Sequence, residues 1–280
     1  MNRQVWGTIF VALSASGWGT WALFLRGHGL PPAWQSTMIL LVIAVTSLPL
    51  ALRRRGPART GAQWGLLGLA ALSDAGNYLC YFGALDRGPI SVAVLTHYLA
   101  PVVVTGFAAK VLGERLTRRG LLSLGVSLLG LALLVLGDGG LPASALPTAL
   151  LGGGSALFYG ANTLITKKLF GPFENAEVLS YHSWLSAGLV ALVAGSAMPP
   201  LASFLWTPLL GALLLGAIGA SLFYAGLRFI PAQRAAVLTY LEPLVAALIG
   251  VLVFGERLGP AGVAGGVLIL AGGAAVALQK

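Results

Sequence analysis

Glu242 and Pro243 stand side by side near the middle of AVLTYLEPLVAALIGVLVFGERL, residues 236–258, a run apolar enough to cross a membrane. An ionised carboxylate at the centre of such a helix costs about 2.5–3.5 kcal/mol on the insertion scale, so Glu242 has to be paired, protonated or facing water. Its chemistry would be to hold a substrate ammonium or to carry a proton. The plainer alternative is a packed, protonated carboxyl bonded to a neighbouring helix. Asp74 is equally central in its own run and shares a helical face with Asn77, Tyr78 and Tyr81. That face could form a cavity wall that accepts hydrogen bonds from an amine and stacks on an apolar or aromatic group, or it could only join helices. His97, next to Tyr98, could titrate near neutral pH and couple transport to protons, or serve as a fixed hydrogen-bond donor. His182, in SYHSW, offers the same chemistry, whereas His28 falls in a loop and is expected to be solvated.

The elements that must position these groups are membrane helices. Hydrophobic residues make up 57% of the 280 and charged residues only 9%, with a mean hydropathy of +0.88. A soluble domain carries roughly 25% charged residues. Apolar runs recur from end to end and leave no room for a soluble domain. The net charge of +9 comes from basic residues scattered through short loops, which fits membrane orientation better than nucleic acid, so no nucleic-acid partner is expected. One cysteine, Cys80, excludes an intrachain disulfide; with three separated histidines it offers no metal cluster, and no cofactor is expected. The N-terminus imitates a signal peptide, with ALSAS at 12–16 as a small-residue site. Its apolar text nevertheless continues to Leu25, and it reads as a retained first helix.

Loop signals divide the chain into ten spans near 5–25, 34–52, 62–85, 90–111 and 119–137, then 147–166, 175–197, 207–228, 232–254 and 260–278. The fold class is therefore all-α, a polytopic membrane protein with two halves, 1–140 and 141–280. Ten spans put both termini on one side with 14 of the 17 basic residues, leaving Arg26, Arg87 and Arg257 on the other. By the positive-inside rule both termini are cytoplasmic, in a cell inner membrane.

The halves repeat one another. Trp18-Gly19 matches Tyr159-Gly160, Ser14 matches Ser155, Arg26 matches Lys167, Pro101 matches Pro243, and GERL at 113–116 recurs at 255–258, all about 142 residues apart. Five spans per half make the second copy enter the membrane from the opposite side, the inverted duplication found in many secondary transporters. A proline inside a membrane helix frees a backbone carbonyl, which is tolerated where protein or a watery cavity satisfies it. Matched interruptions point to a transport site, so Pro101 and Pro243 are expected to act as hinges beside one.

The two Ala-rich helices with central proline ending in GERL, each followed by a Gly/Leu-rich fifth helix, resemble the drug/metabolite transporter superfamily, specifically its ten-helix members built from two EamA-type domains. WGTWALFLRG at 18–27 and HYLAP at 97–101 are similar to YddG-type exporters of aromatic and other amino acids. The resemblance implies a central cavity lined by helices 1, 3, 4, 6, 8 and 9, with gradient-driven export of a small molecule across the lipid bilayer. Trp18, Trp21, Tyr159, Tyr224 and Tyr240 fall on those helices, and Asn162 adds a polar group one turn from Tyr159. Trp6, Trp34, Trp64 and Trp206 lie near span ends, where aromatic belts form.

An intramembrane enzyme using Asp74, Glu242 and His97 is the competing class, but HExxH, GxSxG and Walker lysine motifs are all missing from the sequence. A pore would favour a ring of identical polar residues, and these are sparse and unequal. The expected unit is a monomer, with a dimer left open by the GxxxG spacing of Gly262 and Gly266. Replacing Glu242 by Gln should weaken recognition of a charged amine or remove the pH dependence of transport. An unchanged affinity and pH profile would make Glu242 a packing group.

Overall fold

The computed structural model describes residues 2–25, 28–53, 58–87, 90–137, 145–255, 257 and 259–278. Glu256 of the second GERL lies outside them, as do Arg26, Arg54, Arg55 and Lys280 of the charge count. The helices are α1 (Arg3–Trp18), α2 (Ala22–Leu25), α3 (Pro32–Arg53), α4 (Gly61–Arg87), α5 (Ile90–His97), α6 (Ala100–Leu112) and α7 (Arg118–Leu136). Then come α8 (Leu146–Leu169), α9 (Asn175–Ala194), α10 (Thr207–Gly211), α11 (Gly219–Phe229), α12 (Ala232–Leu238), α13 (Leu241–Phe254) and α14 (Pro260–Ala277). A short 3-10 turn, Leu201–Phe204, precedes α10, and a π-helical stretch, Ala212–Ile218, joins α10 to α11. Among the described residues there is no strand, only an isolated bridge between Phe170 and Phe173.

Seven helical stretches are long and apolar enough to cross a membrane: 3–25, 32–53, 90–112, 118–136, 201–229, 232–254 and 260–277. The helices α4, α8 and α9 are long enough but less apolar, because they carry Asp74 and Asn77, Asn162 and its threonines, and Glu177, His182 and three serines. Helix α4 packs against both α8 and α9. Asn77, Asn162, His182, Ser180, Ser183 and Ser186 are all buried, which takes their polar groups away from the outer face. That outer face is apolar, with Leu122, Leu150, Leu192 and Leu252 at least two-thirds exposed, a surface that hydrocarbon rather than water would solvate.

Helix pairing follows one rule in both halves. Helix α4 packs on α8 as α1 packs on α11; α6 lies on α8 as α13 lies on α1; and α3 with α9, and α7 with α14, pair with their own counterparts. The close approaches repeat in detail. A Cβ on Gly19 would lie 2.6 Å from Val245 Cβ, and one on Gly160 would lie 2.7 Å from Val103 Cγ1. Similarly, one on Gly130 would meet the Gly265 carbonyl at 2.6 Å, and one on Gly272 the Ser123 carbonyl at 2.8 Å. Gly262 and Gly266 are buried within the bundle, Gly266 beside Leu244, so the GxxxG pair serves packing inside the chain.

The twin prolines act just upstream of themselves. Helix α5 stops at His97 and α6 begins at Ala100; α12 stops at Leu238 and α13 begins at Leu241. Proline has no N–H and its ring clashes with the carbonyl four residues back, here those of His97 and Thr239. The turn tightens in response: Leu99 N–H donates to Thr96, and Glu242 N–H donates to the freed Thr239 carbonyl at 3.0 Å. Each broken helix then ends at the glycine of GERL. Gly113 (φ 68°) and Gly255 (φ 67°) adopt the left-handed cap that residues bearing a Cβ resist.

At that cap the first GERL becomes a clamp. Glu114 Oε1 lies 2.6 Å from Lys167 Nζ, and its Oε2 accepts the Ala232 N–H at 2.7 Å. Lys167 also donates to the Ile230 carbonyl. Nearby, Arg59 holds both oxygens of Glu177 at 2.6 and 2.7 Å with its guanidinium over the Phe173 ring, and Glu177 in turn accepts the Glu174 N–H to cap α9. Both pairs tie residues of the first half to residues of the second, at the end of the bundle where most basic residues gather. Glu114→Gln leaves Lys167 without its anion, and thermal unfolding in detergent should reveal a loss of about 1–3 kcal/mol; an unchanged midpoint would reduce the clamp to a surface contact. Gly19→Val and Gly160→Val should each cost about 1–3 kcal/mol by overpacking, read in the same assay.

Candidate functional site

The interruptions of α1/α2, α5/α6 and α12/α13 meet in the middle of the bundle, and a cavity of about 460 Å³ opens there. Its walls come from α1, α2, α3, α4, α5, α7, α8, the π stretch, α11 and α13, and from the breaks themselves. Leu25, Phe82, Val94 and Val135 line it and lie close to helix ends remote from the Glu114 clamp, so the cavity extends away from the basic end.

Tyr98 and Tyr240 are the residues at the two breaks. The Tyr240 hydroxyl donates to the Tyr98 carbonyl at 3.0 Å, and the rings lie 6.2 Å apart. One broken helix thus satisfies a backbone acceptor exposed by the break in the other. Tyr98 turns its ring to the cavity, whereas Tyr240 is completely buried behind the wall. Glu242 lines the cavity from the first turn of α13, next to Pro243. Two features offset the cost of its charge: the positive end of the α13 dipole and the neighbouring Tyr98 hydroxyl. Among the described lining residues it is the one carboxyl, and none of them is a lysine or arginine.

Aromatic rings form most of the remaining wall. The His97 ring lies 4.4 Å from that of Tyr81, 5.0 Å from Tyr98 and 5.6 Å from Tyr159. Its Nδ1 lies 2.7 Å from Ser155 Oγ, and Ser155 donates to Asn77 Oδ1 at 2.7 Å. With the serine hydrogen committed to Asn77, the hydrogen between Ser155 and His97 belongs to Nδ1, leaving Nε2 as an acceptor. The relay crosses from α4 to α8 to α5. The Trp18 indole donates to the Leu215 carbonyl at 2.9 Å, and Ser14 donates to the Gly219 carbonyl at 2.8 Å. Helix α1 thereby occupies one acceptor within the π stretch, Leu215, and one just after it at the start of α11, Gly219, where the wider winding misaligns carbonyls for ordinary helical bonding.

The cavity therefore gathers Trp18, Trp21, Asn77, Tyr78, Tyr81, His97, Tyr98, Tyr159, Glu242 and Pro243 from the residues singled out by sequence. Asp74, Asn162, Tyr224, Tyr240 and Pro101 stand outside its wall. Asn162 donates to the Ala70 carbonyl at 2.9 Å, a bond joining α8 to α4. Asp74 and Tyr224 meet at His182, nearer the basic end. Pro101 is buried in α6 beyond the break. Sequence reading missed the apolar part of the wall: Ile39 and Ile43 of α3, Leu134 and Val135 of α7, and Ala246 and Ala247 of α13. Such residues look the same whether they face a cavity, lipid or a neighbouring helix. Ser155 was visible only as the repeat partner of Ser14.

A pocket of this size suits a small molecule. Its aromatic faces can stack on an apolar or aromatic group, and its single acid can hold an ammonium.

Comparison with known proteins places this architecture. The sequence model of the EamA-like transporter family matches residues 5–136 and again 146–278. An uncharacterized transporter of Archaeoglobus fulgidus is 32% identical over 273 residues, covering 95% of this chain and 94% of its own. A probable terminal-alkyne amino-acid exporter of Streptantibioticus cattleyicolor is 30% identical over 281 residues, covering 97% and 92%. Protein RarD of Streptomyces exfoliatus is 29% identical over 286 residues, covering 92% and 84%. A solved crystal structure superposes with a TM-score of 0.82 at 22% identity, over 98% of this chain and 99% of that one, a likeness of fold alone. The chain belongs to the EamA-like transporter family, within the drug/metabolite transporter superfamily, and is a multi-pass membrane transporter rather than an enzyme.

Proposed function

We propose that the chain is a gradient-driven secondary carrier that exports small metabolites, amino acids including aromatic ones, by alternating access through the central cavity. The observation that carries this reading is the cavity wall itself, in which the single acid Glu242 faces a surround of Trp18, Trp21, Tyr78, Tyr81, Tyr98 and Tyr159. An amino acid presents an ammonium to the first and a side chain to the second. The name of the Streptantibioticus cattleyicolor relative, an amino-acid exporter, supports the substrate class and the direction.

In this reading the chain crosses the membrane ten times, with α4, α8 and α9 as the three polar crossings. The halves 1–140 and 141–280 are inverted copies, and both termini face the cytoplasm of a cell with an inner membrane. The twin breaks, the repeated helix pairing and the double family match support it. The site comprises the cavity residues above, with Asp74, Asn162, Tyr224 and Tyr240 behind them and Pro101 and Pro243 as hinges. The protein works as a monomer. The state described is closed at the cytoplasmic end by the Glu114 and Arg59 pairs, and export requires those cross-half contacts to open.

Purified protein in liposomes should exchange labelled tryptophan, phenylalanine, threonine or methionine in counterflow without ATP, with competition among them. No exchange by folded protein would remove amino acids and send the substrate search to other metabolites and drugs. Cysteine pairs that crosslink α6 to α13 at either end should reduce flux by about tenfold or more; full activity in both crosslinked states would rule out a rocking motion of the halves.

A further inference from the structure

A buried carboxylate–imidazole pair lies outside the cavity wall. Asp74 of α4 reaches His182 of α9, with Oδ2 3.4 Å from Nε2 and the side chains 15% and 5% exposed. The other ring nitrogen, Nδ1, faces the Val178 carbonyl at 2.8 Å. A carbonyl only accepts, so Nδ1 carries a hydrogen. In a neutral ring Nε2 would then turn a lone pair toward the Asp74 carboxylate, setting two acceptors against each other in a site with little water. A proton on Nε2 turns that conflict into a charged hydrogen bond.

The Tyr224 hydroxyl can donate to a bare Nε2 or accept from a protonated one, so the proton decides the Asp74 contact rather than that of Tyr224. Among the described residues, Asp74 makes no ion pair with a lysine or arginine. The Tyr224 hydroxyl of α11 lies 3.4 Å from Nε2 and 3.5 Å from Thr166 Oγ1 of α8. Tyr78 of α4, Tyr159 of α8 and Tyr224 are the titratable groups that share the field of Asp74. Helix α3, packed along α9, contributes the Ala44 carbonyl to Ser180. His97 and Glu242 belong to the cavity wall.

We propose that Asp74 and His182 hold one exchangeable proton between them and form the proton-binding site through which transport is driven by a proton gradient. The proposal rests on reading the chain as a gradient-driven carrier. In the loaded state Nε2–H donates to Asp74. On release the proton leaves to water, and a neutral imidazole and a carboxylate that repel one another remain. Asp74 belongs to the first half and His182 to the second, so proton occupancy changes the attraction between halves. Asn77 and Tyr78, one helical turn from Asp74, line the cavity and connect the two sites.

Two measurements test this. In proteoliposomes, His182→Gln should lower uptake driven by an imposed pH gradient by about tenfold or more, while amino acid counterflow at equal pH stays within about twofold of wild type; Asp74→Asn should lower driven uptake by a similar factor. In detergent, 15N spectra of histidine-labelled protein followed across pH should show a pH range in which His182 carries hydrogen on both ring nitrogens in the wild type and on Nδ1 alone in Asp74→Asn. Retained gradient-driven uptake in both variants, equal loss of counterflow and driven uptake in His182→Gln, or identical His182 spectra in the wild type and Asp74→Asn at every pH would each overturn the proposal. If the wild type exchanges none of the amino acids, their assignment as substrate fails while the spectra still decide the proton site.

Discussion

A backbone N–H or C=O surrounded by hydrocarbon has no water to bond, so a membrane helix can be interrupted only where protein or an enclosed cavity satisfies the freed groups. The rest of this structure follows from where that condition is met. Two helices break at equivalent turns before Pro101 and Pro243, and the breaks are brought face to face, with the Tyr240 hydroxyl on the Tyr98 carbonyl. The π stretch is handled similarly, with Trp18 on its Leu215 carbonyl and Ser14 on the Gly219 carbonyl that follows it. Irregular backbone gathers at the centre because the outer surface cannot hold it, and irregular helices do not fill space. The cavity is the volume they leave.

The surrounding bundle is held without the hydrophobic drive available in water. Lipid tails solvate leucine as well as a neighbouring helix does, so association relies on close contact and internal hydrogen bonds. Glycines at 19, 130, 160, 265 and 272 bring helix backbones near enough for extensive contact. Buried hydroxyls and amides then bond across helices: Ser155 to Asn77, Asn162 to Ala70, Ser180 to Ala44 and Ser186 to Ala71. Polar residues turn inward for the same reason, which is why the polar faces of α8 and α9 are both packed on α4 while their leucines, such as Leu150 and Leu192, face outward.

The twofold pattern is broken where chemistry is needed. Glu242 corresponds to Ala100, Trp18 to Tyr159, and Ser14 and Ser155 bond to different kinds of acceptor. Symmetric packing preserves a frame with two related arrangements, whereas an unsymmetric wall can hold a substrate in one orientation.

Much of this was legible in the chain alone. Composition and the length of the apolar runs determined a polytopic helical membrane protein, since few charges and repeated runs of about twenty residues permit little else. The spacing of the repeat located the paired breaks, because proline and glycine act on their own backbone and need no partner to do so. Ten of the residues singled out for their chemistry meet in one wall, since an isolated polar or aromatic group in an apolar run has few places to go. Tertiary structure alone decided which polar groups found each other: Asp74 and Tyr224 at His182 rather than in the cavity, Asn162 on a backbone carbonyl, and Glu114 on Lys167. It also chose the apolar part of the wall. Helix periodicity gives a side chain a direction, and only the packing of one helix on another determines what lies in that direction.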